Sequence, residues 1–286
     1  MVFDQESRLV KLRGCLPWLP KILLFAFLLF ALFHYYPRRI SAVIPRAVPT
    51  SNMLRFKQQR DQLSRLLNSV SQKKAILFCQ LQKHQKENKA VSESGGWCEE
   101  TAKGNEYNHY TDKRLATSLA NFFAGKVVGS FGDGRGHYKK FFDKTKLLYR
   151  YDAYDGGPYY DKVSNGRVKY LDLSLPQYGL PLYDWVMSLE VAEHIPREFE
   201  SIYLSNIVRH AKHGIVLSWA VPGQVGHEHV NLRPLTYVID IMHKLGFKHD
   251  PVTSVNLRNS AKVSWLRRNI NVFRRLPNST ADINEA

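Results

Sequence analysis

The chain has 286 residues, of which 44% are hydrophobic, and a formal net charge of +16. That length and apolar content exclude a wholly disordered chain and suit one good-sized domain with appendages. The charge alone would suggest a nucleic-acid partner. Its distribution argues against one, because residues 1–90 carry 16 Lys/Arg against 4 Asp/Glu and the rest 25 against 21. A basic segment lying near acidic lipid headgroups accounts for the excess, so no nucleic-acid partner is expected.

Ile22 to Phe33 is the one strongly apolar stretch, and with His34, Tyr35 and Tyr36 it reaches 15 residues. A membrane span needs roughly 17–25. Leu16 to Pro20 supply the remainder if Lys21 snorkels to the headgroups. The rival reading is a cleaved signal peptide. Arg38 and Arg39 follow directly and no Ala-x-Ala site appears, which favours an uncleaved signal anchor in the lipid bilayer. Flanking charges do not fix its orientation. Cys79 and Cys98 form an even set after the anchor, able to pair in a lumen; Asn278-Ser-Thr is a glycosylation sequon there. Cys15, before the anchor, is a possible palmitoylation site. These clues lean toward a type II protein of the secretory pathway, Golgi or endoplasmic reticulum, with secretion after cleavage as the alternative.

The expected order is an N-terminal tail (1–21), an anchor (22–36), a basic linker and helical stem (37–90), a globular domain (91–275) and a C-terminal tail (276–286). Pro37 to Pro49 reads as a linker. Asn52 to Lys89 lacks Gly and Pro and reads as helix. Leu63, Leu67, Val70, Leu77 and Leu81 fall at near-heptad spacing, interrupted by Lys74. That pattern allows either weak self-association or a solvated helix packed on the domain.

Strands and helices alternate from there. Helix is expected over Asp112–Phe123, Gly136–Phe142, Arg197–His210 and Leu235–Leu245. Strand is expected over Lys126–Phe131, Leu147–Tyr154, Val168–Leu171, Tyr183–Leu189 and Ile215–Ala220, with a final hairpin pairing Phe247–Val255 with Val263–Phe273. Alternation of this kind implies an α/β fold with a doubly wound, mainly parallel, Rossmann-like sheet.

Three segments carry chemistry. Val127 to Gly136 runs an apolar strand into the alternating glycines Gly132, Gly134 and Gly136. Glycine lets a ligand approach the backbone closely, and the following helix offers free N–H groups. Asp155, at the end of the second strand, suits both hydroxyls of a ribose, with Asp152 its rival. Asp172, after the third strand, suits an adenine amine or simply a turn. The second segment is Ser188-Leu-Glu190-Val-Ala-Glu193-His194-Ile-Pro196, where a buried strand ends in two acids and an imidazole. The third is Trp219 to Pro234, containing His227, Glu228, His229, Asn231 and Arg233. His227, His229 and Asn231 suit an acceptor-lining loop, and Arg233 suits a carboxylate or phosphate. Two histidines at i, i+2 are not a complete metal site, so no metal is expected.

Together these segments resemble the class I S-adenosylmethionine-dependent methyltransferases, over about residues 105–275 and in that family's motif order. The chain is similar to methyltransferase-like proteins that carry a membrane anchor. The resemblance implies S-adenosyl-L-methionine as cofactor, held by Ser130, Gly132, Asp133, Gly134, Gly136, Asp155, Asp172 and Glu190. It implies methyl transfer to an unidentified acceptor, a small molecule, glycan or lipid. His194 is the candidate base, with Glu193 as orienting partner. The family often places an acid where Ser130 stands, and here Asp133 carries the loop's charge instead. A membrane-anchored glycosyltransferase-like enzyme and an inactive methyltransferase-fold scaffold are the alternatives.

Overall fold

A computed structural model of the chain describes residues 51–85, 91–98 and 111–277. The expected anchor, Cys15 and Asn278 lie outside them. Among the described residues, no helix is long and apolar enough to cross a membrane.

Seven strands form one sheet: β1 (Val127–Phe131), β2 (Arg150–Asp155), β3 (Val168–Tyr170), β4 (Tyr183–Ser188), β5 (Ala211–Leu217), β6 (Phe247–Asp250) and β7 (Asn271–Arg275). Their order is β3-β2-β1-β4-β5-β7-β6. The first five are mutually parallel, and β7 runs antiparallel to both β5 and β6. The strand order reverses between β1 and β4, and ligands of open α/β sheets bind outside the carboxyl ends of the strands at such a switch.

The helices are α1 (Ser51–Gln85), α2 (Lys113–Phe122), α3 (His137–Thr145), α4 (Tyr160–Val163), α5 (Glu200–His210), α6 (Leu235–Lys244), α7 (Pro251–Ser260) and α8 (Leu266–Asn269). The central strands are buried on both faces, which is why they read as apolar runs rather than alternating patterns. One face packs Phe131, Val186 and Ile215 against Tyr203, Ile207 and Met242 of α5 and α6. The other packs Val128, Trp185 and Val216 against Leu115, Phe142 and Leu257 of α2, α3 and α7. Asp112 starts α2 by accepting from the N–H groups of Arg114 and Leu115, both at 3.1 Å. Its second oxygen accepts from the N–H of Val263 at 2.8 Å, tying that helix start to the approach to α8.

The expected C-terminal hairpin is only partly right. Phe247–Asp250 does pair with Val272–Arg275, but two helices intervene. Asp250 caps α7 by accepting from the Thr253 N–H at 3.0 Å, and Pro251 occupies the first turn, where its missing N–H costs nothing. Asp-Pro-x-Thr is a helix start that the apolar pattern of the segment conceals.

Helix α1 packs on the domain, and it does so through its polar side. Ser64 Oγ donates to the Pro176 carbonyl at 3.1 Å and accepts from the Tyr178 N–H at 2.9 Å. The Asn68 amide donates to the Tyr170 carbonyl at 3.0 Å, and its oxygen accepts from the Asp172 N–H at 2.9 Å. Leu63, Leu67, Val70, Leu77 and Leu81, the near-heptad set, are exposed. Cys79, near the end of α1, is disulfide-bonded to Cys98. The bridge anchors a short segment, Val91 to Cys98, closed on itself by a bridge between Val91 and Trp97.

Candidate functional site

The glycine loop leaves β1 with φ values of +106°, +59° and +79° at Gly132, Gly134 and Gly136. A Cβ on Gly132 would lie 2.1 Å from Val191 Cγ2, so the turn passes tightly against the segment that follows β4. The N–H groups of Gly132 and Asp133 donate to the Tyr154 carbonyl at 2.8 and 2.9 Å. The Gly134 N–H donates to Asp155 Oδ2 at 2.7 Å, and the Gly157 N–H to its Oδ1 at 2.8 Å. One carboxylate at the end of β2 therefore fixes the loops after both β1 and β2. Burial pushes the Asp155 carboxyl up to about 6 against the two N–H donors.

A cavity of about 260 Å³ opens here. Gly132, Asp133, Gly134, Asp155, Asp172 and Glu190 all line it, together with His194. Ser130 and Gly136 do not. Ser130 Oγ instead donates to Asp133 Oδ1 at 2.9 Å, which also accepts from Tyr151 OH at 2.5 Å, while Asp133 Oδ2 accepts from the Lys139 N–H at 3.2 Å. Of this expected pair, Asp133 alone lines the cavity. Ser130 holds Asp133, and Asp133 holds the loop to the start of α3. Asp172 is likewise engaged: it accepts from the N–H and Oγ of Ser174 at 2.9 and 2.6 Å and from Ser71 Oγ of α1 at 2.5 Å.

Burial raises the Asp133 carboxyl to about 7, against its hydrogen bonds from Tyr151 and Ser130. A folded carboxyl raised above its unfolded value stabilises the fold at low pH, and that contribution is lost as pH rises from about 4 through about 7. Asn at this position mimics the protonated acid. The stability of Asp133→Asn relative to wild type should therefore improve steadily across that window in chemical melts, then level off. A flat difference across the window would refute the assignment.

Glu190, just after β4, has φ +55°, and its N–H donates to Ser218 Oγ at 2.7 Å. Glu193 is fully buried; among the described residues its carboxylate has no close hydrogen bond, its polar neighbours being the Glu190 carboxyl and the backbone of Glu193 and Ala220. Burial, then the neighbouring Glu190 charge, pushes the Glu193 carboxyl well up. The Glu193 carbonyl accepts from the N–H groups of Val230 and Asn231 at 2.9 and 3.0 Å, folding the loop after β5 back over this segment. That fold brings His229 beside His194, with ring centroids 5.1 Å apart. His194 Nδ1 lies 3.1 Å from the Glu228 carbonyl, so that carbonyl, not the Glu193 carboxylate, orients the ring. A second cavity lined by Glu193, His227 and His229 adjoins the first, sharing Trp97, Glu190, His194 and Trp265 with it.

The other two expected acceptor residues go elsewhere. The buried Asn231 donates from its amide to Glu200 Oε2 at 3.0 Å. Arg233 pairs with the same carboxylate at 2.6 Å and stands over the Tyr237 ring, 4.6 Å from its centroid. Neither lines the two cavities. Their job is to seat the loop, because Glu200, at the start of α5, gathers Asn231, Arg233 and Tyr237.

Trp97 is the residue that sequence reasoning missed. It lines both cavities, stacks on His227 at 5.4 Å and meets His194 edge-on at 5.6 Å. Gly95 and Gly96 bring it there: a Cβ on Gly95 would lie 2.3 Å from the His194 carbonyl oxygen, and one on Gly96 2.0 Å from that of Gly156. The signal was the Gly-Gly-Trp-Cys run, which marks a backbone held close to something and then covalently fixed.

The sequence matches no protein-family model and no curated protein. Solved structures are similar to it at low identity. The magnesium protoporphyrin IX methyltransferase of Synechocystis PCC 6803, with bound SAH, is 17% identical with a TM-score of 0.43, over 57% of this chain and 83% of that one. The N-methyltransferase NodS of Bradyrhizobium japonicum WM9, in complex with SAH, is 14% identical with a TM-score of 0.41, over 57% and 83%. The [4+2]-cyclase SpnF is 12% identical with a TM-score of 0.43, over 60% and 85%.

Proposed function

We propose, from the premise that this chain has the Rossmann-like fold of the class I S-adenosylmethionine-dependent methyltransferases, that it binds S-adenosyl-L-methionine between the glycine loop and Asp155 and transfers a methyl group to a small-molecule, glycan or lipid acceptor. One observation carries the reading: the Asp155 carboxylate, at the carboxyl end of β2, is hydrogen-bonded to the Gly132–Gly134 turn, and together they line a cavity at the sheet's switch point. A ribose needs an acid there, and the cofactor's charged end needs a backbone that it can approach closely. Asp172 and Glu190 line the same cavity, where they suit the adenine and the remainder of the cofactor.

The cofactor supplies an already activated methyl group when bound, so the chain's own residues mainly bind, align and exclude water. Trp97 and the Gly95-Gly96 backbone wall the cleft. His194 stands where the two cavities meet and is the imidazole placed to take a proton from an acceptor that must lose one. His227 and His229, in the second cavity, are the acceptor-side residues.

The Cys79–Cys98 bridge supports an oxidising compartment, in keeping with a signal anchor at 22–36 and a lumenal domain. Glycosylation of Asn278, read as an endoglycosidase-sensitive mass shift, tests that placement. The exposed Leu63 to Leu81 seam supports weak self-association through α1.

Calorimetric titration of the purified chain tests the function. S-adenosylmethionine and S-adenosylhomocysteine should each bind with one-to-one stoichiometry, and nucleotide sugars should not. Binding of a nucleotide sugar without either would transfer the chain to the glycosyltransferase-like reading, and binding of neither would leave a scaffold.

A further inference from the structure

We propose that Glu193, His194 and His229 form a binding site for a divalent first-row transition-metal ion, at the boundary between the cofactor cleft and the second cavity. The ligand atoms of these three residues, one from each, all lie within 4.8 Å of one another. Glu193 supplies the observation that points to a cation. Its carboxylate is fully buried against that of Glu190, and no described residue gives either oxygen a close hydrogen bond. Glu190 Oε1, in the same pocket, also lacks one. Leaving buried acceptors unsatisfied costs on the order of 1–3 kcal/mol each, and an ion between them removes that cost.

Each histidine has one ring nitrogen engaged by a backbone carbonyl, which leaves the other for an ion. His194 Nδ1 faces the Glu228 carbonyl at 3.1 Å and His229 Nδ1 faces the Gln224 carbonyl at 3.3 Å. Each carbonyl can only accept, so Nδ1 carries the proton and the lone pair of the neutral ring sits on Nε2. Metal-bound histidines are held in this way, with the second ring N–H donated to a backbone carbonyl or carboxylate. Two imidazoles with a carboxylate favour ions such as Zn²⁺, Mn²⁺ or Co²⁺ over Ca²⁺ or Mg²⁺. Three protein ligands leave coordination open to water or to a substrate oxygen, as in catalytic rather than structural sites. With an ion bound, His194 would serve as a ligand in place of the base role proposed above. His227 stands apart from this set: it stacks on Trp97.

The test needs no acceptor and no cofactor. The full chain, stripped with EDTA and dialysed, is titrated with Co²⁺ and followed by its visible absorption and by its melting temperature. Wild type should take up one equivalent, develop ligand-field bands and melt higher. His229→Ala and Glu193→Gln should bind Co²⁺ at least about 10-fold more weakly, while His227→Ala should bind as wild type does. If either ligand variant fails to fold, His229→Gln, with circular dichroism as control, takes its place. No uptake by folded wild type, or uptake unchanged by the ligand variants, overturns the site. Because S-adenosylhomocysteine binding is measured separately, loss of the metal site and loss of the methyltransferase reading are distinguishable.

Discussion

Gly132→Ala should weaken S-adenosylhomocysteine binding by about 100-fold or more, with the chain still folded. Two effects act at that position. The backbone sits at φ +106°, where an L side chain is strained by on the order of 1–3 kcal/mol. The added methyl would also lie 2.1 Å from Val191 Cγ2, so either the turn or the segment after β4 must shift. Both walls of the cofactor cleft are then displaced, and a shift of this size costs binding geometry more than it costs the core. A control separates the two effects. Gly125→Ala shares the positive φ, at +69°, but its Cβ would meet nothing within 4 Å. It should lower the melting temperature while leaving cofactor affinity as in wild type. Equal affinity of the Gly132 and Gly125 variants would show that the glycine turn is not the cofactor's cradle.

Breaking the Cys79–Cys98 bridge should have the largest effect on stability. The two cysteines are 19 residues apart, and closing a loop of that length restricts the unfolded chain by about 3 kcal/mol. Reductant should therefore shift the denaturant midpoint of wild type downward and leave that of Cys79→Ser, already low, unmoved. The bridge also holds Trp97 against His194 and His227, so the reduced protein should bind cofactor more weakly as well as unfold more easily. A wild-type melt insensitive to reductant would contradict the structural role of the bridge.

The sequence made most of the sheet legible because its strands are short apolar runs between turn residues, and because parallel strands separated by helices leave few alternative folds. Gly132, Gly134 and Asp155, singled out by residue type in the sequence, line one cavity in the structure. What the sequence did not reveal depends on long-range pairing. The pairing of Arg233 with Glu200 on α5, and the network that joins Ser130 and Tyr151 to Asp133, could not be read from spacing. His229 could not be matched with Glu193 and His194 from spacing, because the match depends on the loop after β5 bonding back to the Glu193 carbonyl. For helix α1 the leucine spacing left open which face meets the domain, and Ser64, Asn68, Ser71 and Gln72 make those contacts.

The most direct measurement is a structure of the chain with S-adenosylhomocysteine bound. The ribose hydroxyls should lie within hydrogen-bonding distance of the Asp155 carboxylate, the amino-acid end should run along Gly132 to Gly134, and the sulfur should face the junction occupied by His194. A ligand bound elsewhere, or with its ribose away from Asp155, would contradict the account.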